Sequence, residues 1–288
     1  AITTTDYESI LKAKFPEITA ISAYGGEEVV PPQYGKVYVS VDIEGADGVP
    51  NNKKDIYRDY IINKTPLTID PVFVDPDFLY IGVNSTVSYN VNVTDKLSSE
   101  IKSAVQAAIS TYSFANLEDF NTTLRYSKLV RAIDDSDVSI VGNVTSLKAI
   151  KTFTPTFNTP QNFTIAFNLP LITTINIPNI DHTQIIDHII TSSIFTFGGN
   201  KCILEDDGDG NMWISNLQGS QHVYKKKTGS VDYETGTIVL QDFEISGAEN
   251  NYIKLYAVPR SNDITSVRNT IISVKPEDVV INVNGTSE

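Results

Sequence analysis

The residues with the most obvious chemical potential lie at Asp206–Asn211, in the order Asp-Asp-Gly-Asp-Gly-Asn. Carboxylates at alternate positions can converge on a hard cation such as calcium, in a loop that wants Gly at its sixth position and a bidentate Glu at its twelfth. Starting at Asp207 places Asp207, Asp209 and Asn211 at positions one, three and five, but Met212 at six and Gln218 at twelve. Starting at Glu205 puts Gly210 correctly and then ends on Asn216. Neither register completes a site. The stretch reads instead as a tight hairpin turn between CILE and MWIS, and no residue is assigned to a metal.

The other reactive side chains are as sparing. His182, His188 and His222 form no HExxH or comparable ligand spacing. Cys202 is the single cysteine, flanked by an alternating strand pattern, and reads as a small buried apolar side chain rather than a nucleophile. Trp213 alternates with Ile214 and reads as core. No nucleophile elbow, Walker loop or strand-borne GxGxxG is present. Pairs such as Asp134-Asp135 and Asp206-Asp207 suit solvated helix ends and turns of an acidic chain. A hydrolase would need two acids facing each other in a cleft with separated titrations. Asn-x-Ser/Thr sequons occur at Asn63, Asn84, Asn92, Asn121, Asn143, Asn162 and Asn284, which an Asn- and Thr-rich chain produces by chance. The expectation is a protein with no catalytic, cofactor-binding or metal residues, and not an enzyme.

Composition narrows the partners. A formal net charge of −13 does not neutralise phosphates, and the only basic run is Lys225-Lys226-Lys227, so nucleic acid is not expected. No apolar run approaches the roughly 20 residues of a membrane helix. A lone cysteine allows no intrachain disulfide. The chain opens on AITTTDYE, without Met or signal peptide, and is expected to be a piece of a longer polypeptide.

The elements that would position these residues follow from periodicity. The clearest is Tyr34–Glu44, where Val37, Val39, Val41 and Ile43 alternate with Lys36, Tyr38, Ser40, Asp42 and Glu44 as in a strand with one wet face. Thr5 and Glu8 read as a capping box for a helix ended by Pro16, followed by a strand over 18–24. Helices are expected over 55–64, from Thr94-Asp95 to about Tyr112, and over 123–133. Strands are expected over 67–74, 79–93 and 138–150. Read together, 36–150 has the order of a split βαβ, ferredoxin-like unit with helices on a mixed sheet. Beyond TFTPTFNTPQN the helical patterns vanish and turn signals recur every eight to twelve residues, as in a β-sandwich. A helical turn within 185–190 is the one exception. The fold class expected is therefore α+β, with a lead-in at 1–30, a ferredoxin-like domain at 31–152 and a β-rich, sandwich-like domain at 153–288.

Several stretches together resemble the baseplate J-like family of contractile phage tails, and within it the T-even wedge subunits of the inner ring. They are TTDYESILKAKFPEITAI (4–21), YGKVYVSV (34–41), KTPLTIDPVFVDPDFLYIGV (64–83), RYSKLVRAI (125–133) and GSVDYETGTIVL (229–240). The last matches the family's G-x-V-D-Y-x-T-G hairpin. These are structural motifs, and no catalytic pattern accompanies them. The resemblance implies the C-terminal portion of a structural wedge protein. Such a protein forms a homodimer through one domain and packs with other wedge proteins into a plate around the tail tube. That plate triggers sheath contraction and genome ejection. It also implies a place in the virion tail baseplate, reached through assembly in the host cytoplasm, with no small-molecule substrate. The alternative from the residues alone is a secreted carbohydrate-binding or adhesin module using the partial calcium loop.

Overall fold

The computed structural model describes residues 1, 3–29, 31–43, 48–173, 188–218 and 221–287, the side chains of Gln218, Gln221 and His222 excepted. His182 and most of the helical turn expected at 185–190 lie outside these residues. The chain divides into two compact units: 1–78 with 111–124 and 265–273, and 79–110 with 125–264 and 274–288.

In the first unit, α1 (Thr4–Lys14) is capped by Thr3 rather than Thr5. The Asp6 N–H donates to Thr3 Oγ1 at 3.2 Å and the Thr3 N–H donates to Asp6 Oδ2 at 3.0 Å. Three consecutive threonines allow several registers, and Glu8 is withdrawn from the cap because its carboxylate accepts the Ala23 N–H at 2.9 Å. The helix stops before Pro16, whose ring excludes helical geometry at Phe15. β1 (Ile18–Gly25) then pairs antiparallel with β2 (Lys36–Ile43). α2 (Asn51–Ile62) carries the chain to β3 (Asp70–Val74), parallel to β2, the connection that parallel pairing requires. The sheet order is β1-β2-β3.

Tyr7 and Leu11 of α1, Val39 and Val41 of β2, and Tyr57 and Ile61 of α2 form the core on one side of this sheet. The pattern of β2 is right on that side. Its other side is not wet throughout, since Ser40 is fully buried. A second cluster within the unit, Ala20, Phe120 and Ile271 with Phe78 against it, explains why a three-stranded sheet needs cover on both faces. Phe120 and Ile271 come from segments remote in sequence, which a window over β2 does not see.

The remaining elements are β4 (Asp77–Asn90), α3 (Ser98–Asn116), β5 (Thr123–Leu124), α4 (Tyr126–Asp134), β6 (Ile140–Phe153), β7 (Gln161–Ala166), β8 (Ile190–Ser192), β9 (Phe195–Phe197), β10 (Asn200–Asp206), β11 (Asn211–Gln218), β12 (Gln221–Asp232), β13 (Thr237–Phe243), β14 (Gly247–Ala248), β15 (Ile253–Ala257), β16 (Ile264–Thr265), β17 (Thr270–Ser273) and β18 (Val279–Thr286). In the second unit, β4 buries every second residue from Leu79 to Tyr89. The Tyr89 hydroxyl meets the Ser98 hydroxyl of α3 at 3.1 Å. α4 lies on β6, where its Tyr126 hydroxyl donates to the Thr145 carbonyl at 2.7 Å.

One long sheet runs β4-β6-β15-β8-β10-β11-β12-β13-β7, with β9 on β10, β14 on β9 and β18 on β4. Although β6 and β7 are far apart along this path, Phe153 of β6 meets Phe163 of β7 with ring centroids 4.8 Å apart. Phe243 of β13 lies 5.8 Å from Phe153 and 5.7 Å from Phe195 of β9. The sheet therefore bends until its inner face packs on itself, without closing.

One expectation is corrected. A ferredoxin-like unit would hold β2, β3, β4 and β6 in one sheet. Here β2 and β3 pair in the first unit, and β4 and β6 pair in the second. β1 is hydrogen-bonded into the sheet of β2 and β3, and β6 passes residue 152 while pairing with β15. What holds is a mixed helix-and-sheet architecture, mostly sheet, with strands dominating after residue 153.

Candidate functional site: a hairpin anchored on Asp206

The stretch with most chemical potential forms the expected hairpin. β10 and β11 pair antiparallel from Cys202↔Asn216 to Asp206↔Met212, and the chain turns over Asp207–Gly210. Inside that turn the Asp207 carboxylate is filled by the chain's own donors. Oδ1 accepts the N–H groups of Asp209 (2.9 Å) and Asn211 (3.0 Å), while Oδ2 accepts Asn211 Nδ2 (2.7 Å) and Trp213 Nε1 (3.0 Å). These bonds hold the Asp207 carboxyl below the usual range against the opposing effect of burial, which is the largest single influence. A carboxylate so engaged is a turn fastener and not an open cation ligand. Among the described residues no group of three or more His, Cys, Asp or Glu is placed to hold a metal.

Asp206, one residue back, points to the other face of the strand and is buried. Its Oδ1 accepts the Ile190 N–H of β8 at 2.8 Å, and its Oδ2 accepts the Tyr233 hydroxyl at 2.7 Å and the Gly208 N–H at 3.3 Å. The Asp206 carbonyl meets His188 Nδ1 at 2.6 Å, and His188 Nε2 lies 3.2 Å from the buried Glu205 carboxylate. Burial first, and the bond to Asp206 second, push the Tyr233 phenol far above its ordinary value, so it stays a donor.

Tyr233 belongs to the G-x-V-D-Y-x-T-G stretch, and the structure gives nearly every residue of it a physical task. At Gly229 a Cβ would stand 2.1 Å from the Val239 carbonyl of the partner strand. Val231 is buried. Asp232 accepts the Glu234 N–H at 3.0 Å and the Thr235 hydroxyl at 2.8 Å, closing the turn. Gly236 has φ +66 and would bring a Cβ within 2.3 Å of the Leu169 carbonyl. Glu234 takes a two-pronged bond from Arg260, at 2.7 and 3.0 Å. The motif is thus a β12–β13 turn whose tyrosine is fastened to Asp206.

The other candidates are equally engaged. Cys202 is buried, and burial pushes its thiol up, away from nucleophilic character. Trp213 is not core. It is half-buried and stacks on Tyr224 at 5.2 Å, because Met212 and Ile214 take the inner positions of β11. The Asn143 side chain donates to Asp134 at 2.7 Å and to the Val130 carbonyl at 3.1 Å. Asp135 pairs with Arg131 on the exposed end of α4, as expected of such a pair.

What the chain does offer outward is apolar surface. In the second unit Val138, Val141 and Val144 stand exposed at the start of β6, Val91, Val93 and Leu97 between β4 and α3, and Val280 on β18. In the first, Leu67 is fully exposed and Tyr34 nearly so. Exposed apolar residues in runs mark contact surfaces more often than isolated ones do. The periodicity of the sequence could not find them, since a valine that faces a partner alternates like one that faces a core.

Comparison with known proteins gives these surfaces a context. Residues 3–74 match the family described as "Baseplate structural protein gp6, C-terminal domain I", and residues 77–152 the family described as its C-terminal domain III. The "Baseplate wedge protein gp6" of Enterobacteria phage T4 is 20% identical over 206 residues, or 72% of this chain. Together these matches support a baseplate wedge protein family. The chain spans 28% of the length of that T4 relative. A solved structure titled "Cryo-EM structure of the anti-feeding prophage (AFP) baseplate, 6-fold symmetrised" is 17% identical, covers 51% of this chain and 33% of its own, and has a TM-score of 0.37, too low to carry a shared fold. The two family matches adjoin at Asp75-Pro76, where β3 of the first sheet gives way to β4 of the second.

Proposed function

We propose that this chain is a structural part of a contractile-tail baseplate wedge. It works by associating with a second copy of itself and packing with other wedge proteins in the inner ring of the virion's baseplate, after assembly in the host cytoplasm. The observation that carries this reading is the pair of adjoining gp6 matches over 3–74 and 77–152. The geometry supports it independently. The titratable side chains around Asp206 are occupied by bonds that fasten strands together, and the exposed valines provide surface for contact. The baseplate J-like assignment belongs to the same proposal, as does the absence of enzymatic activity.

Sedimentation velocity of the purified chain over a wide concentration range tests the self-association. A dimer at micromolar concentration is the expected result, and a two-fold contact of this kind needs about 800 Å² from each partner. A chain that remains monomeric at several hundred micromolar contradicts that part of the reading.

A further inference from the structure

The last strand of the long sheet is an open edge. β18 pairs with β4 in parallel, from Val279↔Val83 to Thr286↔Asn90, without a register shift. Among the described residues no strand pairs with its other side. Edges of this kind are ready templates for another strand, and proteins usually blunt them with lysine, proline, a bulge or short length. β18 is eight residues long, VVINVNGT, with no charge and no proline. Val280, Asn282, Asn284 and Gly285 are exposed along it.

We infer that a second copy of this chain adds its own β18, antiparallel, across this edge, so that one sheet runs through both copies. This rests on the self-association proposed above and names its seam. The chemistry of the edge selects an extended strand, since only another strand meets a row of alternating N–H and C=O groups. Charge permits the copy. Across a two-fold axis the residue on the axis meets itself, so a charge there meets its like. β18 carries no charge on a chain of net charge −13, so that conflict does not arise when it pairs with itself. A different partner would be under no such constraint. An axis through Asn282 sets the two Asn282 amides opposite each other, where each can donate to the other, and sets Val280 opposite Asn284.

The test compares the intact chain with Asn282→Lys and Asn282→Cys by sedimentation velocity and by mild oxidation. Asn282 is exposed, so both variants are expected to keep the circular dichroism of the parent. Asn282→Lys should weaken the dimer on the order of tenfold or more, through two like charges in direct opposition. Asn282→Cys should give a disulfide-linked dimer on oxidation, while the parent gives none because Cys202 is buried. The linked dimer supports β18 even if the lysine variant does not fold. A parent dimer that neither variant affects, with no linked species, overturns the β18 seam and leaves self-association standing. A parent that is monomeric throughout overturns both.

Discussion

The two units hold themselves together by different means. In the first, a capped helix, three strands and a crossover helix meet through apolar residues spaced at strand and helix periods, such as Tyr7, Leu11, Val39, Val41, Tyr57 and Ile61. In the second, distant strands are fastened by particular groups: the Phe153, Phe163, Phe195 and Phe243 rings, and the Asp206 carboxylate that joins β8, β10 and the β12–β13 turn. A local pattern thus suffices for the one, while the other depends on single residues meeting across long sequence distances. The lesson is that acidic and aromatic side chains that look like chemistry can serve as fasteners.

The largest test of this contrast is Phe243→Ala. Phe243 is fully buried where rings from β6, β7, β9 and β13 converge. Denaturant unfolding should show a loss of about 3–5 kcal/mol. A loss under about 1 kcal/mol would mean that the bend of the sheet does not rest on these rings.

The same substitution in each unit sharpens the comparison. Tyr233→Phe leaves a buried carboxylate oxygen with only the long bond from Gly208, and should cost about 1–3 kcal/mol. In the first unit the Tyr57 hydroxyl donates at 3.1 Å to Glu17, a carboxylate that water reaches, and burial raises the phenol to about 12. Tyr57→Phe should therefore cost less than about 1 kcal/mol, because water replaces the lost partner. Equal losses would break the distinction between the two units.

A smaller effect is expected in acid. The Lys96 ammonium, with the Ser139 hydroxyl and N–H, holds the Asp137 carboxyl near 2. A carboxyl held below its unfolded value of about 3.9 stabilises the fold fully above that pH, and the contribution is lost as pH falls from about 4 toward 2. Asp137→Asn should flatten that part of the stability profile, which thermal melts between pH 5 and 2 would record.

Least of all is the expected response to calcium. With Asp207 occupied by four donors of its own turn, millimolar calcium should leave the melting temperature unchanged. A rise of several degrees would revive the adhesin alternative.

Legibility followed the same division. The alternation in β2 and β4 and the turn at Asp206–Asn211 are visible because their causes are local. α4 begins at Tyr126, later than periodicity suggests, because Asp263 accepts the Tyr126 N–H at 2.9 Å from a distant loop. Only the end of β12 is legible, in the hairpin at 229–240, because its earlier part carries the lysine run and shows no apolar alternation, although that part pairs with β11. Trp213 reads as core because strand spacing shows that two faces exist without showing what covers each. The GSVDYETG stretch is recognisable as a motif, but its purpose depends on Asp206, which no spacing rule connects to Tyr233.

The most direct test of the structural role is immunogold electron microscopy of contractile-tailed particles that carry this chain, using antibody against it. The account predicts gold at the distal plate of the tail. Gold on the sheath, on the capsid, or absent from the particles altogether would contradict it.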